Sequence, residues 1–134
     1  LTDTKPHHLA TSHHLVIVGA GFGGLAVCQG LARADPRLGL RITLIDQRNH
    51  HLFQPLLYQV GTAVLATSEI AWPIRHLLRR RKEVTTLLAV VNGIDVAGRT
   101  VLLEDGAVEH FDTLVLATGA RHAYFGHDEW EPYA

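Results

Sequence analysis

The sequence has a single cysteine, Cys28. One thiol cannot form an intrachain disulfide, and there is no Cys-x-x-Cys redox pair. That usage fits a reducing cytoplasm. An excess of either charge is also missing. Twelve Lys and Arg stand against thirteen Asp and Glu, for a formal net charge of −1. Nothing in that balance points to nucleic acid as a partner. No run of 18 or more apolar residues occurs, so no transmembrane helix is expected in these residues. Leu1–Ser12 has no apolar stretch of the signal-peptide kind. Internal repeats, low-complexity tracts and linkers are absent too, which leaves one folded unit.

What is present is globular. Hydrophobic residues make up 47% and charged residues 19% of the 134, the balance of a chain with a core rather than a disordered one. The richest stretch is His14–Gly24. Leu15–Val18 is a short, unbroken apolar run, as in a strand buried on both faces of a parallel sheet. Gly19, Gly21 and Gly24 then spell G-x-G-x-x-G. The first glycine permits a tight turn, the second lets backbone approach a pyrophosphate, and the third lets the following helix pack on the sheet. A helical pattern follows in Leu25, Cys28, Leu31 and Ala32. A second apolar strand, Leu40–Ile45, ends in Asp46. That carboxylate lies 22 residues after Gly24, where a dinucleotide site needs an acceptor for ribose hydroxyls. A glycine turn without a ligand would need neither this strand–turn–helix setting nor the carboxylate.

The remaining chain is read around that unit. Leu1–His13 is polar and reads as an arm ahead of residues 14–134. Its paired His7 and His8, with His13 and His14, lack carboxylate or thiol partners, which disfavours a metal site. Asp35-Pro36 stops the first helix. Cys28 reads as a small core residue rather than a nucleophile. Gln47–Gly61 reads as a loop, then a short helix beginning near Pro55. His50 and His51 could be a metal pair or catalytic bases, but adjacent residues face different ways, so a packing or hydrogen-bonding role is favoured. Pro73 suits the first turn of a helix running to about Arg81, with Arg79–Lys82 complementing its C-terminal dipole. Val84–Leu88 would complete a β-α-β-α-β unit. Ala89–Val96, Thr100–Glu104 and Val108–Phe111 read as a three-stranded antiparallel meander, its turns at Ala97–Arg99 and Asp105-Gly106. Leu114–Leu116 reads as a further buried strand, followed by Ala117-Thr118-Gly119-Ala120.

G-A-G-F-G-G at Gly19–Gly24 and L-V-L-A-T-G-A at Leu114–Ala120, with a meander between them, resemble the FAD-binding half of two-dinucleotide-domain flavoprotein reductases. Three strings narrow the resemblance: N-H-H-L-F-Q-P-L-L-Y-Q-V from Asn49, I-A-W-P-I-R from Ile70, and Y-F-G-H-D-E-W from Tyr124. These resemble the type II NADH dehydrogenases, single-subunit NADH:quinone oxidoreductases that do not pump protons. The match runs from about His14 to the end of the chain. The fold it implies is α/β: a Rossmann-like FAD-binding domain with a parallel sheet, flanking helices and a three-stranded meander. That domain would be incomplete, the first part of a longer flavoprotein.

By the resemblance, Gly19, Gly21, Gly23 and Gly24 cradle the FAD diphosphate. Asp46 binds the adenosine ribose, and Gln47 and Arg48 lie against the adenosine. Val91 offers backbone to the adenine. Gln54 and Pro55 lie near the flavin ring, and Ala117, Thr118 and Gly119 close a second contact. No catalytic acid or base and no metal ligand is assigned. Two departures from the family pattern are mild: Cys28 for alanine, and Gly61 for the alanine common there. NADH and quinone are the substrates implied for the complete enzyme. Membrane contact would come only through a C-terminal part beyond these residues, at the cytoplasmic face of the inner membrane, and the resemblance leaves room for a homodimer. The rival enzymes are a sulfide:quinone oxidoreductase or another FAD-dependent pyridine nucleotide oxidoreductase. The rival outside enzymes is a non-catalytic nucleotide-binding remnant.

Overall fold

The computed structural model describes residues 12–31, 39–120 and 123–133. In chain order these form β1 (His14–Val18), α1 (Phe22–Leu31), β2 (Arg41–Asp46), β3 (His50–Leu52), α2 (Leu57–Gly61), α3 (Thr67–Ile70), β4 (Ala71–Pro73) and α4 (Ile74–Leu77). They continue as β5 (Val84–Leu88), β6 (Val91–Asp95), β7 (Thr100–Leu103), β8 (Val108–His110) and β9 (Thr113–Leu116). Short 3-10 turns at Gln54–Leu56 and Asp128–Tyr133 complete the list.

β1 is buried along its whole length. Such a strand needs partners on both edges and cover on both faces. β2 and β9 flank it, both parallel, with Val18 opposite Ile45 on one side and Leu116 on the other. β5 adds outside β2, also parallel, giving the order β5-β2-β1-β9. Side chains alternate along each strand. Leu15, Ile17, Ile42 and Leu44 therefore meet Leu25 and Cys28 of α1, together with Ile74 and Leu78. Val16, Val18 and Ile45 point the other way, onto Val101 and Leu103 of the meander. Ile17, Ile42 and Ile45 are wholly buried, each stabilising the fold by about 1.5–3 kcal/mol. The meander β6-β7-β8 is antiparallel throughout. No helix of the described residues is long and apolar enough to cross a membrane.

The structure corrects the reading of residues 47–82. The loop expected after Asp46 contains β3, which pairs antiparallel with β4 through His50–Pro73, His51–Trp72 and Leu52–Ala71. Pairs that short and that far apart leave no periodicity to read. The short helix expected near Pro55 is present, as the Gln54–Leu56 turn continuing into α2. The helix expected from Pro73 to Arg81 ends at Leu77. Ile74 and Leu78, one turn apart, are its buried anchors. No apolar residue follows in Arg79–Lys82, and like charges crowded along a helix repel. These cations therefore lie beyond the helix, with the Arg79 guanidinium donating to the His76 carbonyl of its last turn at 2.9 Å. β9 is a half-buried edge strand, with Leu116 61% exposed, not the fully buried strand expected. The Asp35-Pro36 stop, Ala32, His7 and His8 lie outside the described residues.

Candidate cofactor site

The sheet sets the site. β1 is followed by β2 on one side, and β9 lies on the other. Ligands of open parallel sheets bind where the strand order reverses, at the carboxyl ends of the strands. Here that point is Gly19 and Ala117. The Ala117 N–H donates to the Val18 carbonyl at 2.8 Å, and the Gly19 N–H donates to the Ile45 carbonyl at 2.7 Å. Two motifs about a hundred residues apart thus end side by side.

Glycine is required at two positions of the turn. Gly19 has φ +101°, and a Cβ there would run into the Ala117 carbonyl oxygen. A Cβ on Gly24 would overlap the Gly19 carbonyl oxygen. The turn is therefore as tight as backbone allows, and it delivers the start of α1 to the crevice. The first-turn N–H groups of α1 have no intrahelical acceptor, and the helix dipole favours an anion in front of them. A Cβ on Gly21 would meet nothing within 4 Å, so the space before the turn is open. Gly23 comes within ordinary contact of the Ala117 side chain, 3.6 Å from an added Cβ.

Asp46, the last residue of β2, reaches back to this turn. Its Oδ2 accepts the Ala20 N–H at 2.6 Å, and its Oδ1 accepts the Arg48 N–H at 2.7 Å. A carboxylate offers about four lone-pair sites, so acceptor capacity remains for two ribose hydroxyls. A cavity of about 260 Å³ opens beside it, lined among others by Ala20, Asp46, Arg48, Arg75, Thr86 and Leu88. The donor set fits the adenosine diphosphate half of FAD: a backbone cradle for the phosphates, a carboxylate for the ribose, and a mostly apolar recess beyond.

Residues 49–53 flank the crevice. Phe22, in the first turn of α1, makes edge-on ring contacts with His51 at 4.8 Å and Phe53 at 5.5 Å between centroids. This packs the start of the Gln54–Leu56 turn against α1, with Gln54 and Pro55 exposed. His51 thus packs, as the sequence reading favoured. The structure brings together Gly19, Gly23, Gly24, Asp46, Arg48 and Ala117. Gln47 is exposed and does not line the cavity. Val91 opens β6 and packs on the meander side with Leu87 and Ala89. Thr118 and Gly119 follow β9 and are exposed, Gly119 with φ +75°.

Arg75, Thr86 and Leu88 line the cavity without having been assigned from sequence. Arg75 stands in the I-A-W-P-I-R string, yet only the β3–β4 pairing reveals its place. The Ile74 N–H donates to the Asn49 carbonyl at 3.0 Å, which ties Arg75 to the chain leaving Asp46.

Two titratable groups sit apart from the crevice. Cys28 is fully buried on α1, and burial, helped by Glu83, pushes its thiol up to about 11. It is inert packing, as its setting in the sequence suggested. His14 is buried at the start of β1, with Nε2 2.8 Å from the Thr43 hydroxyl and Nδ1 lacking a hydrogen-bond partner. Burial first, then the charge of Arg41, lowers its pKa below the ordinary value. The Asp112 carboxylate accepts the His14 N–H at 2.7 Å, the main reason its own pKa is lowered.

Comparison with known proteins agrees with this geometry. The family model for pyridine nucleotide-disulphide oxidoreductases matches residues 13–131. Two relatives from Mycobacterium tuberculosis are type II NADH:quinone oxidoreductases. NdhA is 44% identical over 137 residues, covering 100% of this chain and 28% of the relative. Ndh is 45% identical over 125 residues, covering 91% and 26%. The chain therefore spans little more than a quarter of the length of these relatives. Among solved structures, the sulfide:quinone oxidoreductase of Aquifex aeolicus superimposes with a TM-score of 0.78 at 28% identity, over 87% of this chain and 27% of that one. NDH2 from Plasmodium falciparum, solved with NADH, gives 0.77 at 22% identity over 92% and 25%, a likeness of fold alone. The chain belongs to the pyridine nucleotide-disulphide oxidoreductase family, is akin within it to the type II NADH:quinone oxidoreductases, and folds as a Rossmann-like FAD-binding domain.

Proposed function

We propose that the full-length protein is an FAD-dependent NADH:quinone oxidoreductase that does not pump protons. The identity of 44–45% to NADH:quinone oxidoreductases carries this reading, and the tight turn beside β9 supports it. When bound, the flavin supplies the redox chemistry, taking a hydride from NADH and passing electrons to quinone.

The residues of this chain bind and orient. The Gly19–Gly24 turn, with Gly21 and Gly23 at its open front, holds the diphosphate against the N-terminus of α1. Asp46 accepts the ribose hydroxyls, and Gln47 and Arg48 lie against the adenosine. Val91 offers backbone to the adenine. Gln54 and Pro55 lie beside the flavin ring, and Ala117, Thr118 and Gly119 close its other side. None of these supplies an acid or a base. The nicotinamide site, the quinone site and peripheral contact with the cytoplasmic face of the inner membrane belong to the rest of the full-length protein.

A second reading has an observation of its own, the overlay on a sulfide:quinone oxidoreductase at 28% identity. One experiment separates them. The full-length protein is loaded with FAD without air and offered NADH or sulfide, and the visible absorption of the flavin is followed before and after adding a soluble quinone. Bleaching by NADH and recovery with quinone is the expected result. Bleaching by sulfide alone would replace the first reading with the second.

A further inference from the structure

We infer that Arg75 is a cofactor-positioning residue, its guanidinium packing on the adenine of FAD in the recess beside Asp46. The inference rests on the reading that this end of the crevice takes the adenosine.

Three observations converge on it. Arg75 lines the 260 Å³ cavity together with Asp46, Arg48 and Thr86. The other walls, Leu44, Ile74 and Leu88 among them, are aliphatic apart from Asn49. Two cationic side chains thus border a recess otherwise suited to a flat, apolar body. The Arg75 side chain also makes no hydrogen bond or ion pair among the described residues. Nor does it neutralise Asp46, whose oxygens are engaged by the Ala20 and Arg48 N–H groups. Finally, its position is built rather than incidental. Pro73 pairs with His50, the Ile74 N–H is held by the Asn49 carbonyl, and Ile74 is anchored in the core. Arg75 therefore leaves a fixed backbone at the rim of the recess.

A guanidinium with no carboxylate to bind has one strong use beside an aromatic ring. It is planar, weakly hydrated and always charged, and it stacks on aromatic faces. Adenine is the aromatic body of the adenosine half. Lysine could supply the charge but not the flat face.

The test uses full-length protein stripped of flavin, titrated separately with FAD and with ADP, the half of the cofactor this recess would hold. Arg75→Leu should weaken both by the same factor, about tenfold, the size of a partly desolvated cation–π contact. Arg75→Lys should recover little of it. The melting temperature of the flavin-free protein should not move, since Arg75 is exposed and bonded to nothing there. Unchanged ADP affinity overturns the inference, whatever happens to FAD. A loss for both ligands accompanied by a lower melting temperature overturns it too, by making the effect structural. Asp46→Ala is measured alongside. If it weakens ADP and Arg75→Leu does not, only the role of Arg75 falls. If neither does, the adenosine is not in this recess and both readings fall.

Discussion

Two stretches of this molecule border the same crevice and are held in opposite ways. The β1–α1 turn is held tightly where it meets Ala117: β1 is wholly buried, and Gly19 and Gly24 leave no room even for a methyl group. The stretch from 47 to 82 is made of three-residue strands and helices of four or five residues. Phe53, Leu57, Tyr58, Val64 and Trp72 remain exposed along it. The first stretch is rigid because its geometry is over-determined by backbone contacts. The second owes its place to a few anchors, Ile70, Ile74 and Leu78. Strained, tight backbone persists only where the surroundings enforce it. The glycine turn is thus built into the sheet, while one wall of the recess beside Asp46 is held through a few anchors, Ile74 and the Asn49 carbonyl among them.

The sharpest break of this comparison is functional. The whole sequence has one G-x-G-x-x-G turn, and the proposed FAD site uses it. Hydride transfer needs the nicotinamide held about 3–3.5 Å from the flavin. This chain alone, saturated with FAD, is therefore expected to show no NADH oxidation with a soluble quinone, followed by NADH absorbance. Turnover at the rate of an intact flavoprotein reductase would mean that a nicotinamide site exists in these residues.

Next in size is Gly24→Ala in the full-length protein. Its Cβ would overlap the Gly19 carbonyl oxygen. Opening the turn should cost about 1–3 kcal/mol of stability and abolish FAD retention through gel filtration. A variant that keeps its flavin would show the turn to be looser than its contacts say. Asp46→Ala follows. Losing charge-assisted bonds to ribose, worth about 1.5–3 kcal/mol, should weaken FAD at least about tenfold, read by equilibrium dialysis; because Asp46 also accepts the Ala20 and Arg48 N–H groups, the flavin-free protein should melt lower as well.

His14 probes the packed side by pH. Its folded pKa lies below the ordinary value, because burial outweighs the opposing pull of Glu109, the His110 backbone and Asp112. The unfolded chain then binds that proton more readily. The His14 contribution is intact above about pH 6.5 and is lost as pH falls below it toward the folded pKa. His14→Gln should flatten the melting temperature as pH falls below about 6.5, relative to the parent. Asp112, whose carboxyl is held low by the His14 N–H, adds a separate loss only below the usual carboxylate range. The smallest effect belongs to the strip. Phe22→Leu removes edge-on contacts worth about 0.5–1.5 kcal/mol, from a ring already 49% exposed. Chemical denaturation should register a loss at the low end of that range. A loss as large as that of Gly24→Ala would erase the distinction between the two stretches.

The same distinction explains what could be read in advance. β1, β2, β5 and the meander were legible, because buried strands leave apolar runs and hairpins leave glycine turns. The glycine turn and Asp46 were legible for a related reason. Their roles depend on backbone conformation and on chain distance along one β-α-β unit, both of which are local. The β3–β4 pair was not legible, and the helix at Pro73 was expected to run to Arg81. Three residues pairing across twenty carry no period, and a helix stops where its buried anchors stop.

Sequence alone therefore determined the fold class, the tight glycine turn and the carboxylate at the end of β2, since each follows from which residues can adopt a conformation or survive burial. Only the tertiary structure decided that Ala117 closes against Gly19, that β3 pairs with β4 and that Arg75 stands at the recess beside Asp46. Those placements depend on which strand lies next to which. That choice is made by burying apolar surface over the whole sheet, and no short stretch of the chain contains it.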